Sequence, residues 1–331
     1  MHGLDPHASS WRLTSRTVAQ CTSQEVTAAM VHCFQGYLVP MRLTPERYEM
    51  RSRAENQDPF ASKIYYSDGA PAAVAMITRR GWTSRLAAMA VAPDFRGRGV
   101  GKNVMKVALE EAVLRKDRTM LLEVFEQNPA AVSLYAGLGF RPVRRLFGYD
   151  FDPDGESKRA SDPEPLQEID PAIIARCISI EGEPDLPWML MPETLAAATR
   201  PFQGLHLNET AFAIVADPNP SAEKVVIRAL LVRKAHRRQR WGSRMLGALE
   251  AHFADRPLTV QALVPENMAP GFFHRAGWRR QALNQFEMKH EFSDPRLKLD
   301  FHFELVQRLA APAGSVEEAG RDIFWHQSLN G

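Results

Sequence analysis

The chain has 331 residues, 45% of them hydrophobic, 24% charged and 9% aromatic, a composition that excludes collagenous, coiled-coil and wholly disordered chains and sets an expectation of two domains. Lysine and arginine number 41 against 39 aspartate and glutamate, a net charge of +2, so the surface as a whole suits neither nucleic acid nor a membrane, and any electrostatic partner must be met by a local patch. Cys21, Cys33 and Cys177 are odd in number and far apart, which argues against a disulfide framework or a metal site. With no apolar leader pattern near residue 1 and no run of ~18 apolar residues, the expected compartment is the cytoplasm.

In chain order, Trp11 to Gln20 reads as a strand. Thr22 followed three residues later by Glu25 forms a capping-box pattern that opens a helix to about Phe34, and Thr44-Pro45 opens another to about Asn56. Asp68-Gly69 joins SKIYYS to AAVAMITR as a hairpin, and a further strand covers about Ser84 to Val91. Apolar residues from Val100 to Lys116 recur at helical spacing. MLLEVF is a strand, NPAAVSLYAGLG a short helix ended by its glycines, and β character closes the segment to about Phe151.

The downstream half repeats this pattern. The segment around KVVIRALLVRKAHRRQRWG lies over that around SRLAAMAVAPDFRGRGVG, and LTVQALVPEN lies over the strand and turn that end at Asn128; Gly101 meets Gly242 and Asn128 meets Asn267. The expected plan is α+β, with two tandem copies of one fold, each a mostly antiparallel mixed sheet flanked by helices. The copies span 1–152 and 166–292, a linker rich in proline and charge spans 153–165, and a C-terminal extension spans 293–331.

The turn VAPDFRGRGVG sets Gly97, Gly99 and Gly101 at alternate positions beside Arg96, Arg98 and Lys102, between a strand and a helix. Glycines there cost roughly 1 kcal/mol each in helix propensity relative to alanine, a cost explained if the backbone must wrap an anion at a helix start. The spacing fits neither a nucleotide P-loop nor a dinucleotide fingerprint. It resembles the acetyl-CoA signature of the GNAT N-acetyltransferase superfamily, here Arg96-Gly97-Arg98-Gly99-Val100-Gly101, and Asn128 to Phe140 resembles that family's second motif. The resemblance implies that acetyl-CoA is the co-substrate, without a metal, its pyrophosphate on the Arg96, Gly97, Arg98, Gly99, Val100, Gly101 and Lys102 backbone and its pantetheine along the strand edge near Met89 and Val91. It also implies that this strand and MLLEVF splay apart.

Asn128 and Tyr135 are seven residues apart, two turns of one helix, and so face the same way. By the resemblance Tyr135 protonates the departing thiolate, Asn128 belongs to the cofactor site, and Glu123 occupies the place of a glutamate base in ribosomal-protein alanine acetyltransferases; Glu126 is the alternative base. The second copy replaces Gly99 with Arg240, Tyr135 with His274 and Glu123 with Ala262, and is expected to be degenerate. The partner implied is a small-molecule or peptide amine, with no membrane. The basic run from Arg233 to Arg244 leaves open a nucleic-acid contact, and a rival reading is a non-catalytic acyl-CoA-binding or RNA-associated module.

Overall fold

The structure, a computed structural model, describes residues 13–153 and 165–292. The C-terminal extension and all but the two ends of the expected linker lie outside the described residues. The first half gives β1 (Thr14–Thr17), α1 (Ser23–Cys33), α2 (Pro45–Glu55), β2 (Lys63–Ser67), β3 (Ala70–Arg80), β4 (Thr83–Val91), α3 (Val100–Leu114), β5 (Thr119–Phe125), α4 (Pro129–Ala136) and β6 (Arg141–Phe151). The second gives β7 (Gln167–Ile169), α5 (Pro171–Glu181), α6 (Pro192–Ala196), β8 (Gln203–Leu207), β9 (Ala211–Ala216), β10 (Val225–Val232), α7 (Trp241–His252), β11 (Leu258–Pro265), α8 (Phe272–Arg275), β12 (Arg279–Arg280) and β13 (Gln285–Glu291).

Local chemistry sets the element ends. At α1 the Thr22 hydroxyl accepts from the Glu25 N–H at 3.2 Å, and the Glu25 carboxylate accepts from the Thr22 N–H at 2.7 Å, satisfying donors that a helix start leaves open. The Thr44 hydroxyl caps α2, Pro45 fills its first position, and Asn56 ends it in the left-handed conformation. The strand expected from residue 11 is shorter: β1 stops at Thr17, whose N–H donates to the Gln20 side chain at 2.9 Å and draws the chain into a single turn.

All the described strands join one thirteen-stranded sheet in the order β1-β2-β3-β4-β5-β13-β6-β11-β10-β9-β8-β7, with β12 beside β6. Its inner faces are apolar on both sides. Ala73, Ala75 and Ile77 pack with α3 and α4 on one face, while Val74 and Met76 pack with α1 and α2 on the other, the two-sided burial expected of central strands. A matching pair of clusters lies around α7 and α8 and around α5 and α6.

The two copies exchange their last strands. β13 enters the first copy between β5 and β6, pairing Glu287 with Glu123 and with Arg144. In return β6 pairs along β11 of the second copy, from Leu258↔Phe151 to Pro265↔Leu146. The sequence boundary between copies is therefore not a boundary of packing: the described residues form one compact unit, and strand 285–291, assigned to the second copy, completes the sheet of the first. Met288, with no exposed surface, is the apolar anchor of the exchange. Met288→Ala should lower stability by about 2–5 kcal/mol in denaturant unfolding and speed hydrogen exchange of the β5 amides, far away in sequence.

Candidate active site

The site begins with a bulge. β4 follows β3 in register except at Ala87, where Met76 pairs with Ala88 and Ile77 with Leu86, leaving one extra residue on β4. Parallel pairing of β4 with β5 runs from Thr83↔Thr119 to Leu86↔Leu122 and stops there. A bulge bends and twists its strand, so residues 87–91 part from β5 and the expected splay is present. At its far end the chain turns into the glycine loop.

Gly97 and Gly99 have φ of +72° and +78°, the left-handed region that favours glycine. A Cβ added at either would meet nothing within 4 Å, so the space above the loop is open. Gly99 is the N-cap of α3, and the first helical bond is Asn103 N–H to Gly99 O at 3.1 Å. The N–H groups of Val100, Gly101 and Lys102 thus precede the first intrahelical donor, at the positive end of the helix. A Cβ on Gly101 would lie 3.5 Å from Val91 and Leu134 and 3.8 Å from Met89, which ties the helix start to the splayed strand and to α4. Val100 is buried, and Arg98 and Lys102 are exposed.

The Arg96 side chain works within the loop. Its Nε donates to Val91 O at 2.9 Å, and its Nη2 to Cys33 O and Gln35 O, so the guanidinium staples the loop to the end of β4 and to the end of α1. The second copy repeats this: Arg237 Nε donates to Val232 O at 3.2 Å and Nη2 to Glu181 O. It also repeats the bulge, at Arg228 of β10, and the parting of β10 from β11 after Ile227↔Val260. Arg238 and Arg240, in the places of Gly97 and Gly99, both hold φ +66°, so the loop keeps its shape with side chains where the first copy leaves space. Within the basic run, Arg233 pairs with Glu181, Arg237 with Glu183, and Arg244 stacks on Trp241 at 3.7 Å; Arg238 and Arg240 are exposed.

Asn128 is the N-cap of α4 rather than a member of its first turn. Its Oδ1 accepts from the Ala131 N–H at 3.2 Å, and its side chain tempers the rise that burial imposes on the Tyr37 phenol. Tyr37, which no sequence pattern singles out, also touches Phe125 at the end of β5. Tyr135 is buried in the cluster that contains Met89, Val91 and Val124, with its ring edge-on to Phe140. Burial, and secondarily Tyr37, push its phenol well above the usual tyrosine range.

Glu123 meets a partner that the sequence does not announce. Arg85, fully buried, donates through Nε to both Glu123 oxygens at 3.0 and 2.8 Å and approaches Oε2 through Nη2 at 2.7 Å, while its Nη1 donates to Glu55 at 2.8 Å. Glu55 also receives Arg51. Burial works to raise the Glu55 carboxyl, but Arg51 and Arg85 override it and hold it below the usual range. Glu126 is held by Arg145 and Asn284 near the surface. Beside this cluster a small depression between α1, α2 and β4 is lined by Met30, Tyr48, Glu55, Met76 and Ala88 among others. The signal that could have found Arg85 is an arginine directly before the apolar run LAAMAV within one strand; Tyr37 and Glu55 carried none. Among the described residues no His, Cys, Asp and Glu side chains group as a metal site, and no helix is long and apolar enough to cross a membrane.

Residues 27–140 match the Acetyltransferase (GNAT) family. Over 61 residues the chain is 42% identical to the [ribosomal protein bS18]-alanine N-acetyltransferase of Salmonella typhimurium, a stretch that is 18% of this chain and 41% of that one. The chain spans between 24% and 48% of the length of the curated relatives it matches. Two solved structures share its overall plan at 16% identity and a TM-score of 0.60: a GCN5-related N-acetyltransferase from Sphaerobacter thermophilus, covering 84% of this chain and 95% of that one, and a tandem GNAT protein from the clavulanic acid biosynthesis pathway, covering 86% and 100%. At that identity the likeness is one of fold.

The buried Arg85 generates a stability test. Removing it leaves Glu55 and Glu123 facing one another without their shared cation, and Arg85→Met should cost about 3–5 kcal/mol at neutral pH. Because the folded Glu55 pKa is depressed, the stability it contributes is present above the unfolded carboxylate pKa of ~4.3 and lost as pH falls through the folded value. The gap between Arg85→Met and the parent in urea titrations should therefore narrow in acid and be widest above about pH 5.

Proposed function

We propose that this chain, a member of the GNAT acetyltransferase family, transfers acetyl from acetyl-CoA directly to a primary amine of a small molecule or peptide, in its N-terminal copy. The observation that carries the reading is the parting of β4 from β5 beyond Leu86 and Leu122, which ends on an open left-handed glycine loop at the start of α3. The unpaired N–H groups of Val100, Gly101 and Lys102 and the helix dipole suit a diphosphate. The exposed Arg98 and Lys102 add charge, and Arg96 shapes the loop rather than contacting the phosphate. Along the freed edge of β4, Met89 is the better pairing residue for a pantetheine amide, because Val91 O already accepts from Arg96. The amine class agrees with what the names of the relatives say of those proteins, one of which acts on a ribosomal-protein alanine.

In this reading the amine, once neutral, attacks the thioester carbonyl, the C–S bond breaks, and Tyr135 gives its proton to the departing thiolate. A phenol near ~10 facing a thiol near ~8.5 is about 2 kcal/mol uphill in water. A thiolate expelled into the same apolar surroundings loses hydration too, which raises its own proton affinity alongside that of the buried phenol. Burial keeps the phenol protonated, and its hydroxyl forms no hydrogen bond to another described residue, so the donor is free for the leaving group. Tyr135→Phe should lower kcat ten-fold or more while acetyl-CoA affinity stays within about two-fold, since the lost hydroxyl acts only on charge that develops in the transition state. Thiol release with an amine panel and calorimetry check the two halves; an unchanged kcat would remove Tyr135 from the mechanism.

A further inference from the structure

Proton transfer from the acceptor favours a carboxylate not already committed to a cation, and Glu123 is committed to Arg85 through both oxygens. Both its oxygens accept from Arg85, at 2.7–3.0 Å, and its side chain is 5% exposed. Directly across the β13–β5 ladder stands Glu287, on the same face of the sheet because opposed residues of an antiparallel pair project together. It is 3% exposed. Among the described residues its one ionic partner is Arg144, whose Nε lies 2.6 Å from Oε2 but off the line of a good hydrogen bond. Oε1 accepts no hydrogen bond from any other described residue.

Resting on the acetyltransferase reading, we propose that Glu287, delivered by the strand that the second copy lends to the first, is the carboxylate that takes the proton from the acceptor ammonium, directly or through one water. Glu123 then acts through Arg85 as a positioning residue. The charges that face Glu287 come from four surrounding segments: Glu123 on β5, Arg144 on β6, Arg85 on β4 reaching to Glu55 on α2, and Asp185, which pairs with Arg144 at 2.9 Å. Burial first, and the Glu123 charge with Asp185 against the pull of Arg144, raise the Glu287 carboxyl, which makes it a stronger base than a solvated carboxylate. The balance is complete. The ammonium N–H bond breaks and its proton goes to Glu287, the nitrogen lone pair forms the C–N bond, the thiolate leaves with the C–S pair and takes the Tyr135 proton, the second N–H proton of the acylated, now cationic nitrogen passes through water to the Tyr135 phenolate, and Glu287 releases its proton to water. The net products are the amide, CoA and one proton.

The arrangement explains why a copy with a closed glycine loop is retained: its last strand is part of the working site of the other.

The test is kcat/KM against pH for the parent, Glu287→Gln and Glu123→Gln, with acceptors whose amine pKa lies above or below the assay pH. For strongly basic amines Glu287→Gln should lose about 10²-fold or more near neutrality and recover as pH rises, whereas for weakly basic amines, neutral already, the loss should shrink to within about ten-fold. Unchanged acetyl-CoA binding and an unchanged thermal transition show that the variant is folded. A Glu287→Gln enzyme with the parent's profile, or one equally impaired with both amine classes, would overturn the assignment. A loss that depends on amine basicity only in Glu123→Gln would move the base to Glu123. A parent that releases no thiol with any amine would instead overturn the acetyltransferase reading itself.

Discussion

The pairing of β13 with β5 and β6 is the constraint on which the rest depends. Without it β5 would present an open edge, a template for association with other chains, and the core around Met120, Leu122 and Val124 would lose Met288. Because β6 in turn pairs with β11, neither copy has a complete sheet of its own. The same contact brings Glu287 opposite Glu123 and Arg144 beside Glu287, so the interaction that stabilises the pair of copies also assembles a buried cluster of charges next to the parted strands. Such a cluster is costly unless every member is paired, and the sharing of Arg85 by Glu55 and Glu123 meets that cost.

Comparison of the two loops separates what the glycine turn needs for its shape from what it needs for a ligand. Both copies keep the strand bulge, the parting of the central strands and the arginine staple. The second holds Arg238 and Arg240 in the left-handed region, a cost of roughly 1–2 kcal/mol per residue that its packing sustains. Glycine at 97 and 99 is thus not required for the fold of the loop. What it secures is empty space, and that is the property a ligand approaching the backbone uses.

Much of this was legible in the sequence, and the limits have physical causes. Helix starts at Thr22 and Thr44, the Asp68-Gly69 hairpin and the α3 and α4 helices follow from capping, turn chemistry and periodicity, all of which are local. The glycine loop was legible through its spacing, whereas Tyr135 stands out only through the resemblance of the segment around it. The strand exchange was not, because the register of β13 with a strand some 160 residues earlier leaves no local trace: QFEMKHE has the same alternation whichever sheet it joins. The employment of Glu123 was hidden for the same reason, since its partners come from β4 and β13. The stapling contacts of the Arg96 side chain carry no local trace, because their acceptors are backbone carbonyls of β4 and of the end of α1.

The central claim is that the N-terminal copy alone binds acetyl-CoA, because Gly97 and Gly99 leave its loop open. Calorimetric titration of acetyl-CoA into the parent, Gly99→Arg and the double variant Arg238→Gly, Arg240→Gly tests it most directly. The account predicts one site per chain in the parent and none in Gly99→Arg, even though that substitution adds positive charge, since the cradle's N–H groups must come within ~3 Å of the phosphate oxygens. The double variant should keep the parent's site. Two sites in the parent, or binding that survives Gly99→Arg, would contradict it.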